Sequence, residues 1–159
     1  MIRTAAAGIS FIILCAAFLA SCAAGNGSLR CNLYVIDEMN KKEIWLPRKD
    51  ANEIDSYMKK SSKWKLIPRT ANGRLDHAKA YEYAKAGKTV IASYNTGTSA
   101  NGHVAIVNGK KPMAWSKGYK AYVPYATGSV RGRDPETTTL AYQFSADKEP
   151  RMSYFVYDR

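Results

Sequence analysis

The apolar positions of the chain change their period a little past its midpoint. Up to Lys88 they recur at helical spacing, and from Thr89 they alternate or run together as strands do. Ser28 is a favourable N-cap, and Leu29, Leu33, Ile36 and Met39 behind it predict a helix ending near Asn40. Ile44, Trp45 and Leu46, closed by Pro47, predict a connector packed back onto the body. Asp50 is placed to cap a second helix over 51–60 with Ile54, Tyr57 and Met58 turned inward. Asp76 is placed to cap a third through Ala86, with Gly87 supplying its C-terminal turn. Between these two, Trp64, Leu66 and Ile67 read as a short extended piece stopped by Pro68.

The rest of the chain predicts strands at Val90 to Ala92, His103 to Val107, Lys111 to Trp115, Tyr119 to Tyr125, Thr139 to Phe144 and Met152 to Tyr157. Asn108-Gly109 is a strong signal for a hairpin between the second and third of them. Helices first and strands afterwards predict an α+β domain, N-terminal helices packed on an antiparallel sheet. No internal repeat or second domain is visible.

Composition sharpens this picture at the N-terminus. Arg3, an apolar run from Ile9 to Leu19 and the small residues after it form a secretory signal, because the run is shorter than the roughly 20 residues of a membrane span. Leu19-Ala20-Ser21-Cys22 resembles the bacterial lipobox, which implies cleavage before Cys22 and its lipidation. The expected organisation is a signal over 1–21, a tether over 22–27 and one domain over 28–159. Ala23 after the lipid cysteine leans towards the periplasmic face of the outer membrane. The net charge of +11 becomes +10 once Arg3 leaves, and favours anionic wall polymers or lipid. Export and the lack of a nucleic-acid module argue against nucleic acid as the partner.

Removing Cys15 with the signal and Cys22 to the lipid leaves Cys31 with no cysteine to pair with. A thiol in an oxidising compartment is either buried or used. Cys31 falls in the first turn of the predicted first helix, where the dipole eases formation of the nucleophilic thiolate. His103 opens a strand directly after Gly102, a position suited to a general base. The pairing of helix-borne thiol and strand-borne imidazole is what nucleophilic catalysis needs. His77, next to a helix cap, reads as a solvated residue or a substrate contact. Cys31, His77 and His103 lack the paired close spacing of a zinc site, so no metal is expected. Tyr119, Tyr122 and Tyr125 read as strand packing, or as the floor of a sugar-binding groove. Arg131 to Pro135 reads as a solvated charged turn.

Cys31-Asn32-Leu33-Tyr34-Val35-Ile36-Asp37, Gly87 to Ala92, and Gly102-His103-Val104-Ala105-Ile106-Val107 together resemble the NlpC/P60-like papain-fold amidases and the related CHAP hydrolases. Leu140 to Ser145 and Tyr154 to Tyr157 look like strands of the same sheet. The resemblance implies a papain-like fold and cleavage of amides in peptidoglycan stem peptides, with Cys31 as nucleophile, His103 as base and no cofactor. It also implies a third polar group on the strand after His103. Ala121 to Gly128 holds no His, Asn, Gln or Glu, which leaves Thr127, a tyrosine hydroxyl or a backbone carbonyl. The alternatives are a lipoprotein that keeps the amidase fold only to bind or scaffold, and a related acyl transferase.

Overall fold

In the computed structural model the described residues are 29–98, 102–130 and 133–158. The expected signal segment, Cys22 with the expected tether, and the expected Ser28 cap lie outside them.

Helix α1 (Leu29–Asn40) buries Cys31, Val35, Ile36 and Met39 in one stripe. Leu33, expected in that stripe, is 39% exposed, because the buried face follows Cys31 and Val35 instead. Asp50 caps α2 (Ala51–Lys60) by accepting from the Glu53 N–H at 2.9 Å, and Asp76 caps α3 (His77–Lys85) by accepting from Lys79 N–H at 2.9 Å. Ile54 and Met58 of α2 are fully buried, and Gly87 ends α3 at φ +82°, a conformation that costs an L-residue most.

The main sheet runs β1 (Trp64–Leu66), β8 (Met152–Tyr157), β2 (Val90–Tyr94), β3 (His103–Asn108), β6 (Tyr125–Gly128), β7 (Glu136–Thr139), every neighbour antiparallel. A separate ribbon pairs β4 (Ala114–Ser116) with β5 (Ala121–Val123). Alternation along the strands divides the core. Ile91, Val104 and Phe155 face α1 and α2, whereas Val90, Ala92, Ala105 and Val107 face α3, the short helix α4 (Leu140–Gln143) and the ribbon. The architecture is therefore α+β, with an antiparallel sheet covered on both sides.

Three expectations fail. The strand predicted over Tyr119 to Tyr125 is cut at Pro124, which cannot donate to a ladder, so β5 stays in the ribbon and β6 enters the main sheet. The Asn108-Gly109 hairpin is absent because neither residue takes the positive φ that such a turn requires. Asn108 Oδ1 instead accepts from the N–H groups of Lys110 and Lys111, and Gly109 is needed because a Cβ there would collide with the backbone of Ala84 and Lys85. β6 takes the place beside β3 that the hairpin would have filled.

The third failure matters most for the site. Thr139 to Phe144 was expected to be a strand, as was Leu140 to Ser145 by resemblance. β7 ends at Thr139, Leu140 N–H bonds the Pro124 carbonyl at 2.8 Å, and Phe144 N–H returns to the Leu140 carbonyl at 2.8 Å. This one turn of helix buries Leu140, Gln143 and Phe144 on one side.

Candidate active site

Cys31 is the third residue of α1 and is fully buried. Its thiol donates to Asn32 Oδ1 at 3.1 Å, and the backbone of Val104, the residue after His103, hydrogen-bonds the sulfur. Burial pushes the thiol pKa up, against the opposing pull of the backbone hydrogen bonds from Val104, Asn32 and Cys31 itself. Asn32 is buried too, and its Nδ2 has no hydrogen-bond partner among the described residues.

Gly102 lets the chain turn into β3, since a Cβ there would sit 2.5 Å from both the Tyr94 carbonyl and Asn52 Oδ1. His103 follows, its ring 4.7 Å from that of Phe144 and its Nε2 3.2 Å from Gln143 Oε1. Gln143 Nε2 faces the carbonyls of Gly128 (3.4 Å) and Glu136 (3.3 Å) and Thr138 Oγ1 (2.9 Å). Carbonyls only accept, so this end of the amide is the NH2 and the other is the oxygen. An oxygen facing His103 demands a donor, which places the proton on Nε2 and leaves the lone pair on Nδ1. Gly128 makes room for the amide: a Cβ there would lie 3.0 Å from both Gln143 Oε1 and Ala105 Cβ.

Burial, joined by the charge of Lys148, holds the His103 pKa down to about 4 despite the Gln143 bond. The imidazole is thus neutral at pH 7. The group that orients it is Gln143 on α4, which sequence reasoning missed by looking for it on the next strand. Its signal was present as an amide inside the otherwise apolar run Leu140 to Phe144.

The two predicted site residues come to the same end of β3 from its two sides. Cys31 packs with Val104 on the α1–α2 side, and His103 lies against Phe144 on the α3–α4 side. His77 is not solvated as expected. It is 6% exposed, its Nδ1 lies 2.8 Å from the Tyr154 hydroxyl, and burial holds its pKa down to about 4. The three tyrosines also part company. Tyr119 is buried with its hydroxyl on the Phe144 carbonyl at 3.1 Å, Tyr125 is half-buried under Lys111, and Tyr122 stands 61% exposed beside Trp115. Among the described residues, no group of three His, Cys, Asp or Glu side chains converges to hold a metal ion.

No family model and no curated protein sequence matches the chain. The functional reading rests on geometry and on the motifs themselves.

Proposed function

We propose that this protein is a lipid-anchored cysteine amidase of papain-like fold, tethered through Cys22 in the bacterial cell envelope and acting on peptidoglycan stem peptides. The observation that carries the reading is the bond from His103 Nε2–H to Gln143 Oε1, with the amide pinned on its far side. It gives the imidazole one tautomer, with the lone pair on Nδ1, which is the role of the third member in a nucleophile–base–orienter set. His103 Nδ1 takes the Cys31 proton as the sulfur attacks the scissile carbonyl carbon, then returns that proton to the leaving amine nitrogen. A thioester remains on Cys31. Water, losing a proton to His103 Nδ1, attacks the thioester carbonyl carbon, and the C–S bond breaks to release a free carboxyl group while that proton returns to the Cys31 sulfur.

At rest the thiol is neutral, sealed, and turned to Asn32. The reaction requires substrate to draw it round the end of β3 to the imidazole. That sealed sulfur favours one second reading, a non-catalytic module that keeps the fold to bind wall peptides. Digestion of purified sacculi by the mature protein and by Cys31→Ala, with the fragments separated and weighed, decides between them. New peptide ends from the wild type only support hydrolysis, and joined peptides indicate acyl transfer. No new products from either protein, with alkylation of Cys31 no faster than that of a buried thiol, counts against hydrolysis and acyl transfer, and co-sedimentation of the protein with sacculi then supports the binding module.

A further inference from the structure

A pocket of about 390 Å³ opens where α1 and α3 both finish, at the far end of β3 from His103. Its wall includes Lys42, Lys88, Lys110, Thr89 and Asn108, and neither Cys31 nor His103. An adjoining recess of about 610 Å³ shares Lys42, Lys88 and Thr89 with it.

The charges on this wall are out of balance. All three lysines are exposed, and among the described residues none of them forms an ion pair. Glu38 is the carboxylate that lines the pocket, and Lys41 holds it at 2.5 Å. Asp158 lines only the adjoining recess. Lys88 Nζ lies 5.4 Å from the centre of the Tyr83 ring, an aromatic contact rather than an ion pair. Helix C-termini attract cations through their open carbonyls, but here those carbonyls are bonded already. Met39 and Asn40 accept from the N–H groups of Lys42, Ile44 and Glu43, and Tyr83 and Ala84 accept from those of Lys88 and Gly87. The ammonium groups are not needed there.

The placing of Lys42 is a second, separate observation. Four residues beyond Glu38, it stands where an ion pair with that carboxylate is favourable. Its Nζ instead crosses to the buried Thr89 hydroxyl at 3.3 Å, which fixes the ammonium on the pocket wall. Thr89 Oγ1 accepts that bond and keeps its own proton to give. Asn108 Oδ1 is taken up by the N–H groups of Lys110 and Lys111 at 2.8 and 3.2 Å, so the NH2 is the part of that amide left for a ligand. What the wall offers is a set of donors: the ammonium groups, an amide NH2 and a hydroxyl. Such a set suits a tetrahedral anion with several oxygens, whereas a flat carboxylate with two would meet fewer of them.

We propose that this pocket binds a terminal phosphoryl group, whether of phosphate or a phosphomonoester in solution or of a phosphomonoester lipid headgroup. The inference is independent of the amidase chemistry, because the pocket shares no residue with the candidate active site.

The test is titration of the full chain with inorganic phosphate, with glycerol phosphate and with acetate at constant ionic strength, followed by the Thr89 backbone N–H and the Asn108 side-chain NH2. Phosphate and the ester shift both signals to saturation, acetate at the same concentration does not, and Lys42→Gln combined with Lys88→Gln weakens binding by about tenfold or more. Lys60→Gln combined with Lys65→Gln removes the same charge away from the pocket and leaves binding unchanged. All four lysines are exposed, and unchanged thermal unfolding verifies that both variants keep the fold. Sedimentation with phosphatidylcholine vesicles, with and without phosphatidic acid, separates the sources. If the pocket variant loses the binding that phosphatidic acid adds while the control variant retains it, the phosphoryl group is a lipid's. If both variants match the wild type on vesicles while phosphate binding needs the pocket, it is a soluble one. The inference is overturned, whatever the vesicles do, if millimolar phosphate moves neither signal or if acetate acts like phosphate. It is equally overturned if the pocket and control variants lose phosphate binding alike, which would make net charge the whole effect.

Discussion

The two imidazoles of the chain are held in opposite tautomers by their neighbours. Burial brings both down to a pKa of about 4, so both are neutral at pH 7. His103 donates its Nε2–H to an acceptor, Gln143 Oε1, and keeps a lone pair on Nδ1. His77 accepts a hydrogen bond at Nδ1 from a donor, the Tyr154 hydroxyl, and keeps an N–H on Nε2. If Nδ1 carried the proton, both the Tyr154 O–H and the Nε2 lone pair would go unsatisfied. One ring is left with a free lone pair and the other with a free N–H. A depressed pKa is common to both, so it identifies neither role, and the partner's chemistry separates them.

The widest expected gap is catalytic. His103→Ala should lower release of peptide ends from sacculi by about a thousandfold, since a general base and the activation of its nucleophile are lost together. Cys31→Ala should do the same, and the double variant should be no worse than either single one, as for residues that act as a unit. Timed digestion with quantified fragments measures this, and a His103→Ala enzyme near wild-type rate would remove the distinction between the two rings.

Next in size is what the rings share. Each has a folded pKa of about 4, below the usual value of 6.5. Above pH 6.5 neither folded nor unfolded chain binds these protons, and stability is unaffected. Between 6.5 and 4 the unfolded chain takes them up while the native one does not, so stability falls with falling pH and levels off below 4. The loss is at most about 3 kcal/mol per ring, the half-buried His103 contributing the smaller share. Urea midpoints taken every half unit of pH test it, alongside NMR titration of the two rings. A ring titrating at its ordinary value would show that water reaches it.

A smaller effect isolates the orienting amide. Gln143→Leu keeps the bulk and removes the acceptor, freeing the His103 tautomer, and should cost about 10- to 100-fold in kcat with little change in KM. Gln143→Glu places a carboxylate beside the ring, raising the His103 pKa and moving the acid limb of the pH–rate profile upward. A purely structural role for Gln143 would lower the rate without moving that limb.

Much of the frame is legible in the chain because local rules and burial agree there. Asp50 and Asp76 cap where their side chains can reach the third N–H beyond them, and Val90 to Ala92 and Met152 to Tyr157 pair where apolar runs allow nothing else. The tail misled because Leu140, Tyr142 and Phe144 fit a period of two while Leu140, Gln143 and Phe144 fit a helical turn, and a tertiary bond to the Pro124 carbonyl decides between them. The orienter was hidden by that misreading. His77 was misplaced for a related reason: its neighbour Asp76 is a surface cap, but the ring is drawn in by Tyr119 and Tyr154, contacts made across the fold that no local pattern encodes.

The finest cut falls on Tyr154. Tyr154→Phe leaves the ring shape and the core volume intact and removes one hydroxyl from His77 Nδ1. Because the hydrogen bond and the buried group that needs it disappear on one side only, the expected loss is about 1 kcal/mol in urea unfolding at pH 7. The informative change is in the ring, since without a donor at Nδ1 nothing in the Tyr154 contact holds the proton on Nε2. Nitrogen-15 spectra should show His77 passing from one tautomer to a mixture while His103, still bonded to Gln143, keeps its own. If His77 stays locked in the variant, another group is fixing its proton, and the contrast between a ring set by a donor and a ring set by an acceptor loses half its basis.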